Sequence, residues 1–394
     1  MKIMNTEIKE ILLGEIGEFY DYAVEIRRHV HKYPELSTKE VKTIEYIAGI
    51  LEQNGISHTV LPDDAGIVAV VGNNGRCYGF RAELDALPVT EKTGLEFSSV
   101  NEGVMHACGH DIHLATVVGM ILHLKKHEDE LPFTVKALLQ PAEESVGGAD
   151  KMIKLGCMEN PHVDEVYGIH VDPTIPTGSI TLMPGVMNAA VMDFDIKILG
   201  QSCHGAHPDQ GVDAIVIAGS LISALQSIPS RNFAPTTPVI LTIGKINGGT
   251  KSNIVCGEVN MTGTLRALSS DVINELGARV KKLSESVAES FGGSAVVTLH
   301  KGYPELFNDK EKTNALIEKC EKILGKENVI IMNDASLGAD DFAYFSKAAP
   351  GCYFNIGCRK EDQGDDQVLH GEFFSPDEEC MKIAYKAFLS IMTE

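Results

Sequence analysis

The chain has 394 residues, of which 44% are hydrophobic, and a formal net charge of −21. This length is sufficient for a large core and for two domains, because domains commonly hold about 100 to 200 residues. The negative charge argues against nucleic acid and anionic membrane surfaces as partners, since both are bound through clustered Lys and Arg.

The N-terminal segment and the cysteines bear on where the protein resides. The segment MKIMNTEIKEILLGEIGEFY carries glutamates where a signal peptide needs an apolar run, and we expect no later run to reach the roughly 18 apolar residues of a membrane span. The nine cysteines are odd in number and scattered, which is typical of a reducing compartment. We therefore expect a cytoplasmic protein that does not bind a membrane.

The first 186 residues alternate predicted helices and strands. Helices are expected over about 18–32 and 38–54, and a mostly apolar helix is expected from Ile112 to about His127 with Asp111 as its N-cap. The predicted strands are 66–71, 77–84, 133–140 and 166–171. This alternation predicts an α/β fold with a mixed, largely parallel sheet flanked by helices.

The pattern changes after Pro184. The predicted strands are then 191–200, 238–246, 256–268 and 294–300, with helices over about 212–227 and 270–291. These elements predict a smaller α+β layer of one sheet and two helices. Because the helix and strand alternation resumes further on, we predict a domain of residues 187–301 inserted into a domain made of residues 1–186 and 302–394.

Ionisable residues follow the predicted strands of the first domain. One strand finishes near Asp85, the next continues into Glu143 and Glu144, and a third has His170 near its end. Ligands of open α/β sheets bind outside the carboxyl ends of the strands. We therefore expect these side chains at one rim of the sheet.

The segment VMHACGHDIH, residues 104–113, contains three histidines, a cysteine and an aspartate. It leads into the apolar helix at the same rim. Cys108 and His110 are two apart, so they can point to the same side of an extended loop. A further histidine, His370, comes from the returning part of the first domain.

Thiolate, imidazole and carboxylate are the ligands of zinc and neighbouring transition metals. This set is rich in carboxylates and spread over distant segments, whereas a structural zinc site usually has paired Cys or His at short spacing. The pattern favours a catalytic metal site, in which one of the adjacent residues Glu143 and Glu144 binds metal and the other acts as a general base. The remaining histidines are expected to have structural positions: His29, His31, His106 and His113.

The sequence resembles the metal-dependent amidohydrolases and carboxypeptidases, which include hippurate hydrolases, N-acyl-amino-acid hydrolases, indoleacetyl-amino-acid hydrolases and N-acetyldiaminopimelate deacetylases. The resemblance extends almost from end to end, and MHACGHD and QPAEE are its most specific motifs. The other motifs are RRHVHKYPELSTKE, RAELDALPV, GIHV, HGAHPDQGVDAI, GTKSNIV, GTLR, ADDFAYF and the late His370.

The resemblance implies two divalent metal ions per subunit, held by residues of the first domain. Cys108 would bridge the ions, with His110 and His170 on one and Glu144 and His370 on the other. Asp85 would orient a ligand, and Glu143 would act as the general base. Thiolate ligation leaves the metal open among zinc, manganese, cobalt, nickel and iron.

The resemblance also implies roles for the inserted domain. His204 would stabilise the tetrahedral oxyanion, often across a homodimer interface, while Asn253 and Arg266 would contact the substrate. The family often has HAAMPH where this chain has HGAHPD, so His207 is a competing oxyanion residue. RAELDALP and ADDF also depart from the commoner RADMDALP and SEDF. The resemblance therefore does not determine the acyl or side-chain pocket.

The leading functional hypothesis is hydrolysis of the amide bond of an N-acyl amino acid, a small molecule, by a metal-activated water. N-Acetyldiaminopimelate deacetylation and carboxypeptidase action on short peptides are the alternatives within this chemistry. A cysteine hydrolase with Cys108 as nucleophile and His110 or His106 as base would leave the two glutamates and the later histidines without a role. A non-catalytic metal-binding protein would not need Glu143.

Overall fold

The computed structural model describes residues 6–361, 364 and 367–392. Its Cα packing divides the described chain into two compact units. Val186–Leu306 and Ala335–Asp340 form the second unit, and the rest of the described chain forms the first. All nine cysteines are free thiols.

The helices of the described residues are α1 (Thr6–Gly14), α2 (Ile16–Lys32), α3 (Val41–Gln53), α4 (His110–Lys125), α5 (Gly148–Lys154), α6 (Ala214–Leu225), α7 (Ser227–Arg231), α8 (Ser270–Ser290), α9 (Lys310–Leu324), α10 (Phe342–Ala348) and α11 (Cys380–Ile391). The strands are β1 (Ser57–Val60), β2 (Ile67–Val71), β3 (Cys77–Glu83), β4 (Thr134–Gln140), β5 (Glu165–Pro176), β6 (Ile180–Leu182), β7 (Gly185–Asn188), β8 (Ala190–Leu199), β9 (Val239–Gly248), β10 (Glu258–Ala267), β11 (Ser294–Lys301), β12 (Leu306–Asn308), β13 (Val329–Ile331) and β14 (Gly351–Arg359).

The first unit is built on an eight-stranded sheet in the order β1-β2-β4-β3-β5-β14-β6-β13. The central strands β4, β3, β5 and β14 pair in parallel. Antiparallel pairing occurs at β1–β2, β2–β4 and β14–β6. The predicted α/β fold with a mixed, largely parallel sheet is therefore confirmed.

Burial explains why the central elements appear as apolar runs in the sequence. Every residue of β3 and β4 is buried, as is every residue of α4 from His110 to Leu124. A strand covered on both faces cannot alternate apolar and polar residues. Helix α4 packs between the sheet and α2, so its first residues are held at the carboxyl end of β3.

The second unit contains an antiparallel sheet in the order β11-β8-β10-β9. Helices α6 and α8 pack on it. Burial alternates along β8, which shows that one face of this sheet is covered by the helices. This arrangement matches the predicted α+β layer.

Three details of the unit borders differ from the sequence prediction, which assigned Val186 and residues 302–306 and 335–340 to the first domain. In the structure all three pack with the second unit. Ala189 N donates to Gly338 O at 2.9 Å, and Val191 N donates to Tyr303 O at 3.0 Å. Backbone hydrogen bonds between residues distant in the sequence set these borders, and the sequence carries no local signal for them.

The predicted N-cap of α4 is wrong. The helix begins at His110, and Gly109 is its N-cap with φ of 81°. A Cβ at Gly109 would lie 2.4 Å from Val171 Cγ2, so both the conformation and the close packing require glycine. Asp111 instead lies in the first turn, where its carboxylate accepts from Arg27 Nε at 2.8 Å.

One stretch of the described residues, Ala214–Arg231, is long and apolar enough to cross a membrane by length and composition, with a mean hydropathy of 1.2. This corrects the expectation that no such run exists. Helix α6 buries Ile217 and Leu221 and exposes Ile215 and Val216. A core helix of a protein passes the same test, so this is weak evidence for a span.

Candidate metal centre

Three neighbouring parallel strands bring the predicted ligands together. Asp85 follows β3, and the pair Glu143 and Glu144 follows β4. His170 was predicted near the end of its strand, but β5 continues to Pro176, and His170 lies just beyond Gly168, the last residue of β5 that pairs with β3. The loop before α4 contributes Cys108 and, at the first helical position, His110. This is the rim at which the sequence pattern predicted a site.

The side chains of this rim form two groups that share one thiol. The ligand atoms of Cys108, His110 and His170 lie within 4.8 Å of one another, and so do those of Cys108, Glu144 and His370. Cys108 Sγ is 3.3 Å from His170 Nε2. Glu144 Oε1 is 3.3 Å from His370 Nε2 and 3.9 Å from His110 Nε2. We refer to these five residues as the Cys108 centre.

Backbone carbonyls orient two of the imidazoles. His110 Nδ1 is 2.9 Å from Asp85 O, and His170 Nδ1 is 2.7 Å from Val171 O. A ring whose Nδ1 donates to a carbonyl presents Nε2 as the ligand atom. Both rings thus direct Nε2 towards the shared thiol.

Asp85 connects the two sides of the centre. Its Oδ2 accepts from Ser37 Oγ at 2.6 Å and from Glu144 N at 3.0 Å. Its Oδ1 is 3.2 Å from His110 Nδ1. Burial disfavours the charge of Asp85, but the contacts with His110 and Ser37 outweigh it and lower the pKa of the carboxyl. Asp85 therefore stays ionised and fixes the orientation of two neighbours.

Glu143 is partly buried beside these residues. Its carboxylate lies within 4.8 Å of the ligand atoms of both His110 and Glu144. Since consecutive residues of a loop can turn apart, the two glutamates are able to serve different purposes at the same centre.

The donor set fits divalent cations. Burial raises the pKa of the Cys108 thiol above its usual range, so the thiolate needs a nearby positive charge to form. The buried Glu144 Oε1 faces the imidazole nitrogens of His370 and His110, at 3.3 and 3.9 Å. A cation between these groups would satisfy the carboxylate oxygen and both nitrogens at once. Thiolate, imidazole and carboxylate together suit a transition metal.

Two backbone positions next to the ligands have positive φ without being glycine. Ala142, directly before the two glutamates, has φ of 59°, and His370 has φ of 64°. Such residues cost about 1 kcal/mol and persist where the surroundings fix them. The His370 backbone N–H donates to Ala107 O at 2.8 Å, which ties it to the loop of Cys108.

Three of the four histidines that were predicted to be structural have hydrogen-bond partners or ring packing. His113 Nδ1 is 2.9 Å from Glu83 Oε2, and its Nε2 accepts from Val171 N at 3.0 Å. His31 Nδ1 is 2.8 Å from the carboxylate of Asp111. His29 stacks on Tyr46 with ring centroids 3.7 Å apart.

His106 is buried, and neither of its ring nitrogens has a hydrogen-bond partner. Burial lowers its pKa to about 3. The ring is therefore neutral at pH 7.

Sequence reasoning assigned no role to several residues that support the centre. Ser37 holds Asp85, as described above. The carboxylate of Glu40 accepts from Ala142 N at 2.7 Å. Both belong to the motif RRHVHKYPELSTKE, which was the only sequence signal that these residues matter. The spacing within the motif does not reveal that Ser37 contacts Asp85 or that Glu40 contacts Ala142.

The predicted residues of the inserted domain lie in the second unit. His204 forms an isolated bridge with Ile254, and Gly205 N donates to Asn253 O at 2.8 Å, so these two loops lie side by side. His204 and His207 are exposed, with ring centroids 5.6 Å apart. Arg266 lies elsewhere on the unit, where its Nη1 donates to Leu337 O at 2.8 Å.

Comparison with known proteins finds similarity over nearly the whole chain. The model of peptidase family M20/M25/M40 matches residues 79–394. The chain is 38% identical to an N-acetyl-L-cysteine deacetylase of Bacillus subtilis, covering 91% of this chain and 85% of that protein. It is 35% identical to thermostable carboxypeptidase 1 of Saccharolobus solfataricus, covering 96% of both. It is 36% identical to an N-acetyldiaminopimelate deacetylase of Exiguobacterium sibiricum, covering 92% and 96%.

Solved structures show the same similarity. A dinuclear metal-binding peptidase of the M20 family from Bacillus subtilis superposes with a TM-score of 0.80 at 29% identity, covering 95% of this chain and 97% of that one. An aminohydrolase candidate from methicillin-resistant Staphylococcus aureus superposes with a TM-score of 0.90 at 31% identity, covering 97% and 98%.

Proposed function

The chain belongs to peptidase family M20/M25/M40, and from this premise we propose that it hydrolyses the amide bond of N-acyl amino acids. Its relatives are hydrolases of amides, and the resemblance to metal-dependent amidohydrolases and carboxypeptidases is confirmed. The observation that carries the proposal is the pair of ligand groups sharing Cys108, with Glu143 beside them.

We assign two divalent ions to the Cys108 centre. Cys108 would contact both ions, with His110 and His170 completing one and Glu144 and His370 the other. Bound there, the ions would polarise the amide carbonyl and lower the pKa of water. Zinc, manganese, cobalt, nickel or iron would each suit this donor set.

The remaining steps belong to residues of the chain. Glu143 takes the proton of the attacking water and then donates it to the leaving amine nitrogen. Asp85 holds His110 in position through Nδ1. A carboxylate suits the shuttle because it accepts a proton in one step and releases it in the next.

The substrate class is inferred from the relatives. Two of them are deacetylases that act on N-acetyl amino acids according to their names, which favours an acylated amino acid over a long peptide. The similarity to a carboxypeptidase keeps cleavage of short peptides as the second candidate.

Residues of the second unit are proposed to complete the reaction in a homodimer. His204 would stabilise the tetrahedral oxyanion from the partner subunit, with His207 as the competing residue. Asn253 would contact the substrate. Arg266 would bind a free carboxylate, because a guanidinium that gives one N–H to Leu337 O retains other donors. The second unit would then be the dimerisation domain of a cytoplasmic enzyme.

The cysteine-hydrolase alternative receives less support. A nucleophilic cysteine needs a lowered pKa, whereas burial raises the pKa of Cys108. That thiol also lies between ligand-type side chains on two sides. This arrangement suits metal binding better than attack on a carbonyl.

The test is the release of free amino acid from a panel of N-acyl amino acids and dipeptides. The protein would be stripped by a chelator and then supplied with each divalent metal in turn. We expect metal-restored turnover of N-acyl amino acids. Activity that survives stripping and is lost on thiol alkylation would overturn the proposal in favour of a cysteine nucleophile, and turnover of dipeptides alone would favour the carboxypeptidase.

A further inference from the structure

A second cluster of metal-ligand side chains lies at the other end of α4. Glu15, between α1 and α2, approaches His123 and His127. Glu15 Oε2 is 2.8 Å from His127 Nε2 and 3.3 Å from His123 Nε2. All three ligand atoms lie within 4.8 Å of one another. We name these residues the α4 C-terminal cluster.

We propose that the α4 C-terminal cluster binds a divalent transition-metal ion of the zinc class, at a site separate from the Cys108 centre. His110 begins α4 and His123 lies thirteen positions later. At 1.5 Å per residue, the two lie roughly 20 Å apart along the helix. One ion cannot serve both places.

The spacing of the ligand atoms suits a tetrahedral ion. Zinc binds histidine nitrogen and carboxylate oxygen at about 2.0–2.2 Å, which places neighbouring ligand atoms of a tetrahedron about 3.3–3.6 Å apart. The distance from Glu15 Oε2 to His123 Nε2 already matches this spacing. The distance to His127 Nε2 would have to open by about 0.5 Å, which the partly exposed Glu15 side chain can supply.

The local structure also favours a cation at this position. Two histidines four residues apart at a helix end project to the same side, and this spacing recurs in zinc sites. The end of α4 is its C-terminus, where the helix dipole stabilises positive charge. Binding there would be reinforced by the helix itself.

Two of the three side chains, His123 and Glu15, are in the form that binds metal. His123 is fully buried, and its Nδ1 contacts the Tyr385 hydroxyl, which leaves Nε2 directed at Glu15. Burial lowers the pKa of His123, so its ring is neutral at pH 7. The contact with His127 lowers the pKa of Glu15, so its carboxylate is ionised. Neutral imidazole and carboxylate are the forms that bind metal.

The site can be tested by the stoichiometry of bound zinc. The chelator-stripped full chain would be saturated with Zn²⁺, freed of excess metal and assayed for zinc per chain. Glu15→Gln is the informative variant, because an amide oxygen still accepts from both imidazoles but binds zinc poorly. Glu18→Gln is the matched control: it removes the same charge from a residue that pairs with Lys126 and touches neither histidine.

We expect Glu15→Gln to hold one zinc ion fewer than the wild-type chain, and Glu18→Gln to hold the wild-type number. If circular dichroism shows that Glu15→Gln folds poorly, His127→Gln replaces it as the test variant, because the His127 side chain is near the surface. We expect His127→Gln to show the same loss of one zinc ion. Equal zinc content in the wild type and both cluster variants would overturn the proposal. The result does not depend on activity, so it is independent of the reaction at the Cys108 centre.

Discussion

At the residue scale, the adjacent glutamates Glu143 and Glu144 are in different surroundings. Glu144 Oε1 faces His370 and His110, and its backbone N–H is held by Asp85. Glu143 lies beside them with its carboxylate close to His110. The difference supports separate roles as metal ligand and general base.

We predict that Glu143→Gln lowers kcat by about 10²- to 10⁴-fold, the usual contribution of a general base. Metal content should stay at the wild-type value, because Glu143 is not among the assigned ligands. Steady-state kinetics and metal analysis of the same preparation provide the measurement. Turnover at the wild-type rate would remove Glu143 from the mechanism.

We predict that Cys108→Ala loses bound metal and activity together, since the thiol is common to both ligand groups. Cys157→Ala is the control, because Cys157 is also a buried free thiol but belongs to neither group. Metal analysis after desalting distinguishes the two variants. An active Cys108→Ala protein with its full metal content would refute the shared ligand.

At the element scale, the segment from Glu35 to α3 supports the centre from outside. Ser37 donates to Asp85, and Glu40 at the N-cap of α3 accepts from Ala142 N. Ala142 has positive φ and is followed directly by Glu143. The Glu40 carboxylate therefore helps to fix the backbone from which the general base projects.

We predict that Glu40→Ala lowers kcat by about 10- to 100-fold while metal content is retained, because small displacements of a reacting group are costly. Burial raises the pKa of Glu40 to about 7, so a neutral acceptor is tolerated there. Glu40→Gln keeps the acceptor for Ala142 N and should restore most of the activity. If Glu40→Gln were as impaired as Glu40→Ala, the hydrogen bond would not be the cause.

Gly109 determines how α4 begins. Its φ of 81° and the 2.4 Å approach of a Cβ to Val171 Cγ2 both exclude a side chain. We predict that Gly109→Ala lowers the free energy of unfolding by about 1–3 kcal/mol, through strain and overpacking. Gly55 also has a positive φ, but a Cβ added there would have no other atom within 4 Å, so Gly55→Ala causes strain without overpacking. Denaturant unfolding should show the smaller loss for Gly55→Ala.

At the scale of the whole molecule, the residues proposed for the reaction are divided between the two units. The Cys108 centre lies in the first unit, and His204 and Asn253 lie in the second. If His204 acts on the site of the partner subunit, one active dimer site combines Glu143 of one chain with His204 of the other.

We predict that His204→Ala and Glu143→Gln proteins, each inactive, regain activity when mixed under subunit exchange. Each heterodimer would contain one intact site, so an equal mixture should reach about a quarter of wild-type activity by random pairing. The control mixture combines Glu143→Gln with the double variant and should stay inactive. Subunit exchange would be measured with labelled subunits. If exchange occurs without recovery of activity, His204 acts at the site of its own chain or has no part in the mechanism.

The sequence by itself determined the fold class, the family and the rim at which the ligands meet. These features depend on local signals: buried parallel strands are apolar throughout, and ionisable residues follow them at their carboxyl ends. The resemblance supplied the assignment of single residues such as Cys108 and His170, which spacing alone left open.

Only the tertiary structure decided contacts between distant segments. Asp111 was expected to cap α4, but Arg27 and His31, about 80 residues earlier, bind its carboxylate and Gly109 takes the N-cap. The partners of Asp85 and Ala142, and the meeting of Glu15 with α4, are likewise set by packing. A sequence pattern records the preference of each segment, whereas these contacts depend on how the segments are placed against one another in the folded chain.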